Sequence, residues 1–504
     1  MHPVPRRRRN LERLCSTATE WLVPLIALAL SCWYTLRYLG DANLPGNESA
    51  APLGWWGWFD QSMTLRSTGA FARWNLAASQ HHYPLGYALL GLLPYLEAPN
   101  HPFFVVDLLC LLGAYAGFVG LARRLDLPAA LAAAAFAAAT LSDGAIFRQW
   151  VIPWNTTPVG ALVWLLLAAC AGWFDGRRRP LAIGLLVGGI AACRPSDAVL
   201  ALPCLASLAW SDLRSRSARR PDWAWLASGA ASVLLPVAAL HLAIYGPAPS
   251  PYMRSSAQIG FTLYDLGWKA YVLLLSPGSW FADGEGLLRR LPWVALGLAG
   301  LVPALARGPK DRMLAAVLAV QGVLYIAYVD LLPTGLWRFM NVHYFVWAIP
   351  GYALLALLLI RDGLRHGRPR RIAVVSLAGT LLVLCVRCDP KAAASELGTA
   401  KAVDFAAPLP PFLPTYFGAS AVQDAKGVLR NGAAMRVFVY LGGVRVIGMQ
   451  RDLVGPVRWL PGEAPPGFDA AAAPIARWSM SLRLSWPPNW LRRSREPRIP
   501  VPAR

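Results

Sequence analysis

Long apolar segments alternate along this chain with short loops, and the loops are of two kinds. One kind is crowded with arginine and lysine: Arg6 to Arg9 with Arg13; Arg123 and Arg124; Arg177 to Arg179; Arg214, Arg216, Arg219 and Arg220; Arg307, Lys310 and Arg312; Arg361, Arg365, Arg368, Arg370 and Arg371. The other kind is nearly bare of them. At 1.5 Å per residue an apolar helix of about 20 residues crosses a bilayer. The pattern predicts about eleven crossings, over 21–39, 102–121, 127–142, 157–173, 181–194, 198–211, 224–245, 292–306, 312–329, 343–360 and 371–387. Lys and Arg beside membrane spans stay on the cytoplasmic side. The six basic loops therefore mark one face and put the N-terminus in the cytoplasm.

The apolar stretch 84–96 tests that scheme. Counted as a crossing, it would put Arg123 and Arg124 outside and invert every later loop. The consistent reading makes Pro84 to Leu96 a re-entrant or interfacial helix within the first outer loop. The outer loops are then 40–101, 143–156, 195–197, 246–291 and 330–342, and the first and fourth are too long for mere connections.

From about Asp389 the pattern changes. Prolines 408, 410, 411 and 414 precede a strand-like run from Arg436 to Val446 interrupted by Gly442-Gly443. The expected fold is an all-α polytopic membrane protein with a small β-containing or α+β extracytoplasmic C-terminal domain. Its parts are a basic cytoplasmic N-terminus at 1–20, a transmembrane module at 21–388 with extracytoplasmic loops 40–101 and 246–291, and the C-terminal domain at 389–504.

Composition agrees, with 56% hydrophobic and 15% charged residues over 504 positions. The formal charge of +21 is parcelled among loops rather than gathered in one patch. It points to anionic membrane lipids and away from nucleic acid. The eight cysteines are scattered, and Cys385-Val386-Arg387-Cys388 has no second pair to complete a zinc site.

Candidate chemistry concentrates in the first outer loop. It reads Gly54-Trp55-Trp56-Gly57-Trp58-Phe59-Asp60-Gln61 and continues through His81-His82-Tyr83-Pro84-Leu85-Gly86-Tyr87. Three tryptophans in four positions suit a helix at the bilayer surface. An acidic residue at the end of that belt is costly unless hydrated, paired or used. Asp60 is thus either a carboxylate facing a membrane-level cavity or the N-cap of a helix over Ser62 to Phe71.

A span, an outer loop with Asp-Gln leading into an amphipathic helix, and an aromatic-Pro-small-Gly segment opening an apolar helix together resemble the type C glycosyltransferases. That group includes the family 39 protein mannosyltransferases and the bacterial lipid A sugar transferases. The resemblance covers roughly 20–385 and extends to the Asp143 to Trp150 loop, Arg194-Pro195, and Trp337-Arg338-Phe339 with Asn341 and His343-Tyr344. It implies a multi-span enzyme of the bacterial inner membrane that uses a polyprenyl-phosphate-linked sugar on the outer face. It implies Asp60 as catalytic carboxylate, with Asp41 the competing assignment, and a long fourth loop closing over donor and acceptor. Gln61 stands where many members carry Glu, and Asn155-Thr156 where an acidic residue is usual.

The residues fit that chemistry independently. A phosphate-bearing lipid donor needs cations near the outer interface, and Arg binds phosphate bidentately. Arg148, Arg194, Arg254 and Arg338 are the donor-phosphate candidates. Gln61, His81, His82, Tyr83, Gln149 and His343 are candidates for orienting a glycan, lipid or protein acceptor. A divalent metal is the one cofactor left open, since Asp283-Gly284-Glu285 has the spacing of a ligand pair without a third member. A flippase or transporter for lipid-linked glycan, and a polymerase or ligase of surface polysaccharide, are the competing readings. The first predicts buried charges inside spans, and apart from Asp107 and Arg37 there are few.

Overall fold

The computed structural model describes residues 6–41, 59–174, 176, 178–214, 223–259, 261, 266, 270, 273–275, 286–328, 331, 336–365, 377, 379 and four strand segments. Its helices in chain order are α1 (Arg6–Asp41), α2 (Phe59–Ala72), α3 (Leu85–Leu90), α4 (Leu92–Glu97), α5 (Phe103–Arg124), α6 (Ala129–Leu141), α7 (Gly144–Val151) and α8 (Thr156–Cys170). They continue with α9 (Arg178–Cys193), α10 (Leu202–Arg214), α11 (Trp223–Tyr245), α12 (Pro251–Ile259), α13 (Leu287–Arg290), α14 (Val294–Ala306), α15 (Pro309–Ala327) and α16 (Ala348–Arg365). The chain forms two compact units: 1–253 with 293–321 and 343–382, and 254–292 with 322–342 and 383–504.

Among the described residues three helices are long and apolar enough to cross a membrane: Trp21–Gly40, Phe103–Arg124 and Trp223–Tyr245. The helices α6 and α7 reach that standard only together, across a 96° bend. The chain is thus a membrane protein, while the larger count drawn from the loops is not established by these helices. The physical reason is length: α8 and α14 are apolar but too short to qualify. The segment 371–387 lies outside the described residues, apart from positions 377 and 379.

In the first unit close helix packing rests on small residues. Gly184 of α9 and Gly229 of α11 each bring backbone against backbone, so that an added Cβ at Gly229 would run into the Leu181 carbonyl oxygen. Small residues at such crossings let apolar helices approach within van der Waals reach. The helix α5 packs on α8, and α14 packs on α16. Tyr34 of α1 donates to the Phe104 carbonyl at 3.0 Å, and Tyr115 of α5 donates to the Val23 carbonyl at 2.6 Å.

The stretch expected as one helix over 84–96 is two, α3 and α4, meeting at Gly91. Gly86 carries α3 onto the C-terminal end of α9, where an added Cβ would lie 2.5 Å from the Ala192 carbonyl carbon. That approach brings the chain after Tyr83 to the end of the helix that Arg194 follows.

In the second unit Phe261 bridges Tyr328 in antiparallel fashion, and the Arg290 guanidinium lies 4.0 Å from the centroid of the Trp337 ring. Four strands, β1 (Thr415–Val422), β2 (Ala434–Leu441), β3 (Val444–Asp452) and β4 (Ser481–Leu482), form an antiparallel sheet in sequence order. Leu441, the last residue of β2, pairs with Val444, the first of β3. The remainder of 389–504 lies outside the described residues.

Candidate functional site

Asp60 sits in the first turn of α2, not at its N-cap, so the capping alternative does not hold. A carboxylate there suits the positive end of the helix dipole. Its Oδ1 accepts a hydrogen bond from the Tyr83 hydroxyl. Burial first, then the neighbouring Asp60 charge, pushes the Tyr83 phenol well above its usual range, so Tyr83 stays a proton donor. Tyr252 packs on the Tyr83 ring at 4.9 Å between centroids, and its N–H donates to the His82 carbonyl at 3.3 Å.

The adjoining Gln61 is fully buried and its Nε2 donates to the Pro153 carbonyl at 3.2 Å. That bond ties α2 to the turn after α7. The turn is well determined by sequence: Asp143 caps α7 by accepting from the Ala145 N–H at 2.7 Å, and Pro153 follows the helix end. Gln149 donates to the Ala145 carbonyl and accepts from the Trp154 indole at 3.0 Å. Trp154 in turn stacks flat on His343, with centroids 4.3 Å apart and planes 5° from parallel.

Arg194, just past the end of α9, closes this cluster. It donates to Asn155 Oδ1 at 3.0 Å, pairs with Asp197 at 3.2 Å, and lies 4.9 Å over the Tyr344 ring. Both charged side chains of the pair are almost wholly buried. Its charge is thus already matched within the protein, so a phosphate there would meet a guanidinium that Asp197 and Asn155 also hold. The signal was present in the sequence, since three-residue spacing sets two side chains on neighbouring positions of a helical turn.

His81 is likewise spoken for. Its Nε2 faces the Asn75 carbonyl at 3.0 Å, which can only accept, so Nδ1 accepts from the Ser67 hydroxyl at 2.7 Å. Both ring nitrogens serve the loop, and none is left to orient an acceptor. Burial lowers the affinity of both His81 and His82 for protons, and in His81 the Asn75 bond opposes that effect.

The other candidates are less closely gathered. Arg148 is half-buried on α7, and Arg254 is exposed on α12 in the second unit. Arg338 opens the 3-10 turn Arg338–Tyr344, and its side chain lies outside the described residues, as does that of Asp41. The tryptophan belt 55–58 and the Asp283 and Glu285 pair also fall outside them. Among the described residues no three His, Cys, Asp or Glu come together as a metal-binding group.

Sequence reading missed Gln321, and it raised Asp107 only as a buried charge that a transporter would need. Gln321 of α15 is fully buried and donates to the Tyr344 carbonyl at 2.9 Å. Its signal was a lone amide inside an apolar run. Asp107 of α5 is fully buried, and both its oxygens accept from the Tyr87 hydroxyl, at 3.0 and 2.9 Å.

No family model and no curated protein matches this chain. Among solved structures it is similar to ArnT from Cupriavidus metallidurans, determined bound to undecaprenyl phosphate. The two are 14% identical over 73% of this chain and 71% of that one, with a TM-score of 0.40. A likeness so remote carries nothing about substrate or chemistry, which have to be read from the side chains.

Proposed function

We propose that this protein transfers a sugar from a polyprenyl-phosphate-linked donor to a hydroxyl on a glycan, lipid or protein acceptor, at the extracytoplasmic side of a bacterial inner membrane. The observation that carries the reading is the Asp60 carboxylate, held by the Tyr83 hydroxyl beside an aromatic and arginine cluster. In the reaction the acceptor hydroxyl gives its proton to Asp60 while its oxygen bonds to the anomeric carbon. The carbon–oxygen bond to phosphate breaks, and its electron pair leaves with the polyprenyl phosphate. Attack opposite the leaving group inverts the anomeric centre.

A positioned general base is worth about 10²–10⁴-fold in rate. Arg148, Arg254 and Arg338 are the cations proposed for the leaving phosphate, and Asp41 is the reserve carboxylate. The C-terminal domain is assigned to the same side as the site, where it would meet the acceptor. A transporter reading draws on the buried Asp107, but both of its oxygens are bonded to one phenol within the protein. A polysaccharide polymerase or ligase would share this site and differ only in acceptor.

The test is the glycolipid and polysaccharide profile of cells carrying Asp60→Asn beside wild type and a deletion. The variant should reproduce the deletion while the protein accumulates normally in the membrane. A wild-type profile would end the assignment of Asp60 as base.

A further inference from the structure

Among the described residues, the buried atoms Gln61 Oε1, Gln321 Oε1 and Thr156 Oγ1 are without a hydrogen-bond partner. Gln61 and Gln321 are 0% exposed and Thr156 is 1% exposed. The two amides cannot be turned round to hide the oxygens. Pro153 O and Tyr344 O only accept, so each amide must present its nitrogen to its carbonyl. Each oxygen is therefore the end left over. Buried polar groups are nearly always paired, because leaving one unpaired costs the full penalty of stripping it of water.

The three are linked by direct contacts. Gln61 holds Pro153, and Thr156 follows three residues on as the first residue of α8. Between them Trp154 stacks on His343, and Asn155 accepts from Arg194. Arg194 lies over the Tyr344 ring, and the Tyr344 carbonyl accepts from Gln321.

We propose that these three groups are the subsite that reads the hydroxyls of the donor's sugar ring, an inference that rests on the glycosyl-transfer reading above. Two fixed amide acceptors call for a ligand rich in hydrogen-bond donors. That disfavours the donor's phosphate diester, whose ionised oxygens carry no proton and only accept, and the buried Arg194 disfavours a bare cation. A pyranose ring brings hydroxyls to the amides and Thr156, and apolar C–H faces to Trp154, His343 and Tyr344. The sugar's identity would then be set here, and the lipid phosphate recognised elsewhere.

The experiment uses the full chain in lipid nanodiscs and two kinds of probe. One is bare undecaprenyl phosphate, and the other is the same lipid carrying glucose, mannose, galactose or N-acetylglucosamine. Wild type should favour one glycosylated lipid over the bare one. Thr156→Val, which removes a hydroxyl without a partner, and Gln321→Met should each cut that preference about tenfold, leaving bare-lipid binding unchanged. Gln321→Met and Gln61→Met also unpair the Tyr344 and Pro153 carbonyls, so Thr156→Val keeps the test open if either folds poorly. Thr156→Val should melt no lower than wild type. Variants that keep the preference would mean that the three atoms hold buried water only, and would overturn the subsite. So would a wild type that binds bare lipid but favours none of the four sugars, with the polyprenyl phosphate reading left intact. A wild type that binds no polyprenyl phosphate at all would sink both.

Discussion

Two aspartate–tyrosine pairs share one short stretch of chain, yet they are built for different ends. Tyr83 donates to Asp60, and Tyr87, one helical turn further on, donates to both oxygens of Asp107. Asp60 keeps partial exposure at the start of α2, whereas Asp107 is sealed inside α5, with the Tyr87 ring tilted against Phe103 at 4.4 Å between centroids. The acid and the donor are the same in both. What differs is enclosure: a carboxylate that a substrate can reach can take a proton from it, and one closed off within a span can only hold its neighbour. Because Tyr87 fastens α3 to α5, it also fixes the direction in which the chain enters from Tyr83. The sealed pair thereby positions the open one.

The largest expected effect separates the two carboxylates by a like-for-like change. Asp60→Asn should lower sugar transfer by about 10²–10⁴-fold at normal protein abundance. Asp107→Asn keeps an oxygen for Tyr87 and should transfer near the wild-type rate. If both substitutions abolish transfer at equal abundance, Asp107 takes part in the chemistry and the contrast is wrong.

A second test asks whether Asp107 acts only through Tyr87. Asp107→Ala strands a buried hydroxyl and should cost about 1–3 kcal/mol, read as a lower melting temperature in detergent. Adding Tyr87→Phe removes the stranded group and should recover part of the loss. Additive losses in the double variant would show that the two side chains do not depend on each other.

Tyr83→Phe probes the open pair more gently. The Tyr83 hydroxyl bonds the charged form of Asp60, so removing it makes the carboxylate easier to protonate. For a bond worth about 1.5 kcal/mol, the acid limb of the pH–rate profile should move up by about one unit. An unmoved limb would detach Tyr83 from the base. The raised Tyr83 value also makes a stability statement. The phenol stays neutral in the fold after the unfolded one ionises, so its contribution holds below about pH 10 and fades as pH rises further.

Local signals made part of this legible in advance, and the unread part is long-range. Asp60 stood out because an acid beside three tryptophans has to be used or paired. The α6–α7 bend is written locally too, in Asp143 as a cap and Pro153 as a stop. Tyr83 as the partner of Asp60 lies 23 residues away, and no spacing rule links a helix start to a residue before a proline. The stacking of Trp154 on His343 and the bond from Gln321 to the Tyr344 carbonyl depend on how distant helices pack. Arg194 is the opposite case: its partner Asp197 lies only three residues on, within local reach, and a count of charges on one face does not show that the two are paired.

The smallest effect concerns the loop that carries both tyrosines. His81 clamps it through Ser67 and the Asn75 carbonyl, and burial holds the ring neutral in the fold below its ordinary titration range. The unfolded chain therefore binds the proton first as pH falls below about 6.5. The stability that His81 supplies is complete above that pH and is lost progressively beneath it, down to the folded value. Melting curves in detergent at pH 7.5 and 5.5 should show a modest drop for wild type and a smaller one for His81→Gln. An equal drop in both would place the acid sensitivity elsewhere and leave His82, whose ring is also held neutral by burial, as the next group to replace.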